Sequence, residues 1–310
     1  MKQQVQKLIG EHGSLLGLVA LAAVLSVFSS GFLEMSNLLN ILNQVSINGL
    51  VAIGMTFVII TGGIDLSVGS ILALTGALLA AMLKAGVPGV GAIPLALIAG
   101  GLLGAFNGLM ISRFRLQPFI VTMATMTIFR GATLVFTNGR PITGLSQDPL
   151  YVALGQGRLF TIPYNGLIFI LTLCVTAYIL SRTVFGKGVY AIGGNAEAAR
   201  LSGIAVPKVQ IWSYVLSGVF AALAGAILVS RLDSAQPVAG QGYELDAIAA
   251  VVLGGTSLSG GRGMMVGTLI GALIIGVLNN GLNLMEVSAF YQQIVKGAVI
   301  LLAVLMDRRK

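Results

Sequence analysis

Ten apolar stretches follow one another along the chain, at about residues 14–31, 44–62, 66–83, 90–111, 118–137, 166–181, 211–229, 244–258, 264–281 and 290–306. A helix needs about 20 mostly apolar residues to cross a bilayer, and in hydrocarbon every backbone polar group must be bonded within the protein. The stretches therefore predict an all-α polytopic membrane protein of about ten transmembrane helices. Composition agrees: 56% of the 310 residues are hydrophobic and only 9% are charged. The first stretch, with Lys2 and Lys7 before it and Ser29, Ser30 and Gly31 after it, has some marks of a signal peptide. In a chain so rich in further spans it reads as a retained first helix.

The net charge of +8 is informative only by location. An even number of spans puts both termini on one side. If that side is cytoplasmic, it holds Lys2, Lys7, Arg113, Arg115, Arg182, Lys187, Arg200, Lys208, Arg262, Arg308, Arg309 and Lys310, twelve cations, against four (Lys84, Arg140, Arg158 and Arg231) on the other. This excess matches the positive-inside rule. Arg130 and Lys296 fall within spans, where pairing with Glu244, Asp246 or Glu286 is expected.

Several kinds of chemistry lack their residues. No G-x-x-x-x-G-K-[ST] occurs, because Phe185-Gly186-Lys187-Gly188 has no hydroxyl after its lysine. Gly-x-Ser-x-Gly and His-Glu-x-x-His are absent, His12 is the only histidine, and Cys174 stands alone, so no hydrolase, metal or disulfide constellation is visible. The cations lie at membrane edges without interleaved aromatics, which argues against nucleic acid. Transport is the remaining class, and no metal or cofactor is expected in this chain.

For transport, the informative residues are polar ones at membrane depth. Asn37, Asn40, Gln44 and Asn48 are spaced by three, four and four residues, one stripe of a helix. Asn279, Asn280 and Asn283 form a second group. Amides both donate and accept, which suits a neutral polyhydroxyl solute. Glycines four apart (Gly100, Gly104 and Gly108; Gly267 and Gly271) predict closely packed helices. GGIDLSVG (Gly62 to Gly69) and GGTSLSGG (Gly254 to Gly261) match at five of eight positions. They read as hairpin turns in which Asp65 and Ser257 cap the following helix, or as paired breaks beside a solute path.

Arg231-Leu-Asp-Ser-Ala-Gln-Pro237, Gly242-Tyr-Glu-Leu-Asp-Ala-Ile-Ala-Ala-Val-Val-Leu-Gly-Gly-Thr256, Gly276-Val-Leu-Asn-Asn-Gly-Leu-Asn283, Gly63-Ile-Asp-Leu-Ser-Val-Gly69 and Gly193-Gly-Asn-Ala-Glu-Ala-Ala-Arg-Leu-Ser-Gly203 resemble the permease subunits of bacterial ABC-type monosaccharide importers, over nearly the whole chain. The resemblance implies a fold similar to type II importer permeases, a single permease domain over 1–310 in the bacterial inner membrane, and a monosaccharide cargo, with ribose expected. Its implied partners are a cytoplasmic ATPase that holds the ATP and magnesium, a periplasmic sugar-binding protein and a second copy of the chain. It further implies that the short polar helix within a cytoplasmic loop at about 182–210 docks into the ATPase.

The local chemistry of that segment suits a short helix. Asn195 is an N-cap, Glu197 lies in the first turn, Arg200 near the last, Ala198 and Leu201 share a face, and Gly194 and Gly203 bound it. The long connection 138–165 carries Arg140, Asp148 and Arg158, candidates for orienting the binding protein. The candidate path residues are Asn40, Gln44, Asn48, Asp65, Asn279, Asn280 and Asn283. The rival reading is a secondary transporter or facilitator working alone, coupled through Asp65 to protons or sodium.

Overall fold

The computed structural model describes residues 2–29, 31–145 and 148–307, with side chains for 13–29, 31–145 and 148–305. Ser30, Arg308, Arg309 and Lys310 lie outside the described residues, as do the side chains of Lys2, Lys7 and His12. Among the described residues there are thirteen helices: α1 (Lys2–Phe28), α2 (Met35–Ile60), α3 (Val68–Lys84), α4 (Gly89–Phe114), α5 (Pro118–Thr137), α6 (Pro149–Gln156), α7 (Tyr164–Arg182), α8 (Val184–Gly194), α9 (Ala196–Leu201), α10 (Val206–Leu232), α11 (Tyr243–Leu253), α12 (Met265–Leu284) and α13 (Ala289–Asp307). Two antiparallel pairings of two residues each complete it: Ile142–Thr143 with Ser234–Ala235, and Arg158–Leu159 with Ile162–Pro163.

Ten of these helices coincide with the ten apolar stretches, and α6, α8 and α9 are short additions within the connections. Six helices (α2, α4, α5, α7, α10 and α12) are long and apolar enough to cross a membrane. The stretch 244–258 needs correction. It forms only the 11-residue α11, about 16 Å long, roughly half of a hydrocarbon core of about 30 Å.

α2 is the centre of the bundle. Every residue from Gly49 to Ile60 is buried, as befits a helix that is apolar on all sides. The expected glycine seams are present. A Cβ added at Gly100, Gly104 or Gly108 of α4 would meet the backbone of Gly218, Tyr214 or Ile211 on α10, and one at Gly271 of α12 would meet Ala250 O on α11. Large apolar side chains such as Leu102, Ile128, Val135 and Leu171 remain exposed on the outside of the bundle. Such a surface suits lipid rather than water.

The two similar glycine-rich breaks fold differently. Asp65 is not the cap of α3: that helix starts at Val68 after Ser67, and Asp65 Oδ1 instead accepts from Ser67 N at 3.0 Å and Ser67 Oγ at 2.6 Å. Its Oδ2 accepts from Ser217 Oγ of α10 at 2.8 Å, and Asn107 of α4 donates to Ser67 Oγ at 2.8 Å. The turn into α3, α10 and α4 are thus tied together around one buried carboxylate. Ser257 does not cap α12 either, which begins only at Met265; its hydroxyl accepts from Ser259 N at 3.3 Å within the loop.

Candidate functional site: a polar cavity and a polar helix at opposite ends

A cavity of about 260 Å³ opens between the N-terminal parts of α2, α11 and α13 and the C-terminal parts of α10 and α12. The stripe on α2 contributes Gln44 and Asn48, and α12 contributes Asn279 and Asn283. Ile47 and Leu228 are its apolar wall, and Arg231, Tyr243, Asp246, Gln292 and Lys296 complete the lining. The structure therefore brings together two amide groups that lie more than two hundred residues apart.

The remaining stripe residues point elsewhere. Asn37 and Asn280 clasp each other, with Asn37 Nδ2 donating to Asn280 Oδ1 at 3.0 Å and Asn280 Nδ2 to Asn37 Oδ1 at 2.8 Å. Each amide both donates to and accepts from the other, which locks α2 to α12. Asn40 is exposed, and Asp65 is held in its own network far along α2 from the cavity. Of the spans' two cations, Lys296 donates to Asp246 Oδ2 at 3.0 Å. Arg130 instead satisfies carbonyls, donating to Pro237 O and Ala239 O at 2.8 Å each. Glu286 lies at the exposed turn after α12, with φ 54°.

At the other end of α2 lies the segment Gly193 to Ile204. Asn195 Oδ1 accepts from Ala198 N at 2.9 Å and starts α9. Gly203, at φ +86°, ends it: Gly203 N donates to Arg200 O and Ile204 N to Ala199 O, both at 3.0 Å, a Schellman closure. Glu197 and Arg200 pair on the exposed side, and this pairing holds the Glu197 carboxyl below its usual range. Ala199 faces inward, whereas Ala198 is exposed and Leu201 is 78% exposed. Leu201 thus stands free on the outer side of α9. Gly194 has open space around it, but Gly193 is wedged: a Cβ there would overlap Ile60 O of α2 and Gly261 N of the second break. Gly261 N also donates to Ile60 O at 2.9 Å. Tyr190 Oη of α8 donates to Gly263 O of that break at 2.7 Å. Nothing in the sequence marks this three-way junction, because each partner lies in a different part of the chain.

In the connection 138–165, Arg140 and Arg158 are exposed. Asp148 has a structural task. It caps α6 through Leu150 N at 3.0 Å and Tyr151 N at 3.1 Å and accepts from Gly89 N at 3.0 Å, fastening the start of α4. These donors, the Gly89 amide foremost, hold its carboxyl below the usual range. The hairpin 158–163 presents Phe160, 93% exposed, at its tip. No sequence rule singles it out, since an apolar residue in an apolar chain carries no signal.

A lipid-facing helical bundle with a polar cavity at one end, and no catalytic or nucleotide-binding constellation in its sequence, belongs to the class of membrane transport proteins. The chain belongs to the family described as branched-chain amino acid transport system / permease component, which matches residues 37–304. It is 58% identical to the ribose import permease protein RbsC of Bacillus subtilis, over 96% of this chain and 92% of that protein. It is 52% identical to the ribose import permease protein RbsC of Escherichia coli K12, over 97% and 94% respectively. With the ribose import permease protein RbsC of Haemophilus influenzae the identity is 50%, over 98% and 95%. No solved structure matches the chain.

Proposed function

We propose that the chain is the permease subunit of an ATP-driven importer that carries ribose across the bacterial inner membrane. The observation behind this is an identity of 50–58% to ribose import permeases over nearly the full length of both partners. In this reading 1–310 is one permease domain with about ten membrane crossings, α11 and the break after it together serving as one of them. Both termini and the loop at about 182–210 face the cytoplasm, and the cavity faces outward. The subunit works as a pair of copies. ATP and magnesium are held by a separate ATPase, consistent with the missing P-loop, and Ala198 and Leu201 of α9 enter it. Arg140 and Arg158, with Phe160 at the hairpin tip, receive the sugar-binding protein. Gln44, Asn48, Asn279 and Asn283 line the entrance to the path.

Reconstitution tests this reading. Vesicles holding the chain with its ATPase inside and the sugar-binding protein outside are expected to accumulate labelled ribose only with ATP, and the purified chain alone is expected to bind no nucleotide. Uptake by the chain alone, driven by a proton or sodium gradient, overturns the reading in favour of a secondary transporter.

A further inference from the structure

We propose that the cavity is itself a sugar-holding site, in which the Asp246–Lys296 pair and the carboxamides of Asn48 and Asn279 bind the hydroxyls of one neutral monosaccharide. It rests on the transport reading above and adds to it a saturable stop within the permease. The argument starts from unsatisfied atoms. Asn48 Oδ1 and Asn279 Oδ1 are buried and have no hydrogen-bond partner, although a buried acceptor is normally paired. Both belong to side chains that line the same cavity, and rotation of either carboxamide toward it presents that oxygen to a donor. Asn283 and Asn280, by contrast, already have partners: Gln292 Nε2 donates to Asn283 Oδ1 at 2.8 Å, and Asn280 is clasped by Asn37.

The second observation is the ion pair. Asp246 is 4% exposed, and its Oδ2 accepts from Lys296 at 3.0 Å. An ammonium has three donors and a carboxylate about four acceptor sites, so one bond between them leaves most of their capacity for a ligand. Acceptors (Asn48, Asn279 and Asp246) and a donor (Lys296) thus surround one space, the pattern that vicinal hydroxyls, each donor and acceptor, can meet. The volume of about 260 Å³ lies just under the range of about 300–1,000 Å³ that drug-sized ligands occupy, which fits one small sugar and not a disaccharide. Arg231 lines the cavity beside this pair, so the neutral cargo follows from the transport reading and not from the charge of the lining.

The test is binding of D-ribose to the purified permease in lipid nanodiscs, read by saturation-transfer NMR, beside uptake by the full complex. Expected are saturable binding at millimolar sugar and a loss of at least tenfold in affinity for Asp246→Asn and Lys296→Met. Asn279→Leu guards against misfolding: it removes an acceptor that has no partner, so its melting temperature is expected at or above that of the unaltered protein while ribose binding falls. If Asn279→Leu and Asp246→Asn bind ribose normally, or the unaltered permease shows no saturable binding, the site is refuted even where the complex imports ribose. If the complex imports no ribose, the transport reading fails instead, and a panel of neutral pentoses and hexoses decides the site, which falls if none binds.

Discussion

Leu201 is the residue whose position is hardest to explain without a partner. Water gains nothing from it, and its exposure beside the Glu197–Arg200 pair leaves an apolar spot on a polar helix. Losing the burial of a Leu in a partner's groove costs about 1.5–3 kcal/mol, and a tenfold loss of affinity needs about 1.4 kcal/mol. Leu201→Glu is therefore expected to insert normally, lose the ATPase on co-purification and lose ribose uptake, whereas Glu197→Gln is mild; an ATPase that stays bound to Leu201→Glu would refute the docking role of α9. Asp148 makes a pH prediction. Its carboxyl is held below the usual range by the amides of Gly89, Tyr151 and Leu150, so its contribution is complete above the ordinary carboxylate pKa and is lost as pH falls through the lowered folded value. Protection of the amides of Gly89 and Tyr151 against hydrogen exchange, taken relative to the intrinsic rate at each pH, is expected to fall on acidification through that interval, and Asp148→Asn, which keeps an acceptor but does not titrate, is expected to abolish this change. The cap of α9 was legible from Asn195 because its partner lies three residues on. The link from Asp148 to Gly89 was not, because 59 residues separate them.

At the scale of elements, the two glycine-rich breaks show how far similar letters can diverge. GGIDLSVG turns tightly into α3 because Asp65 finds donors on both Ser67 and Ser217. GGTSLSGG has no carboxylate at the matching place, and its chain runs on to Met264 before α12 begins. That longer loop reaches α8, and Gly193 joins it to the end of α2 without room for a side chain. The segment that carries α9 thereby touches Ile60, and α2 extends from there to Asn48 in the cavity, twelve residues or about 18 Å away. Gly193→Ala must displace backbone on two elements. It is expected to keep the ATPase bound while ribose uptake falls at least tenfold, a separation that Leu201→Glu does not produce. Normal uptake in Gly193→Ala would show that motion is transmitted by another route.

For the whole molecule, sidedness is the prediction that joins the parts. In a Cys174→Ala background, a cysteine at Phe160 is expected to react with a membrane-impermeant maleimide from outside, and one at Leu201 only after the membrane is opened; the reverse pattern would invert the proposed orientation. The apolar stretches were enough to place ten helices to within a few residues at most ends, since burial of backbone in lipid depends on local composition alone. Six of these helices are long and apolar enough to cross a membrane, and α11 falls shortest, because its apolar stretch continues into a loop. The glycine seams and the ends of α9 were likewise legible, being rules of spacing and of backbone conformation within a few residues. What only the tertiary structure decided is which polar groups meet: Asn48 with Asn279 around one cavity, Asn37 with Asn280 in a clasp, Lys296 with Asp246, and Gly193 with Ile60 and Gly261. The physical reason is that a hydrogen bond or a close backbone approach depends on where helices distant in sequence pack against one another, and the amides of one stripe look alike until packing satisfies some and leaves others open.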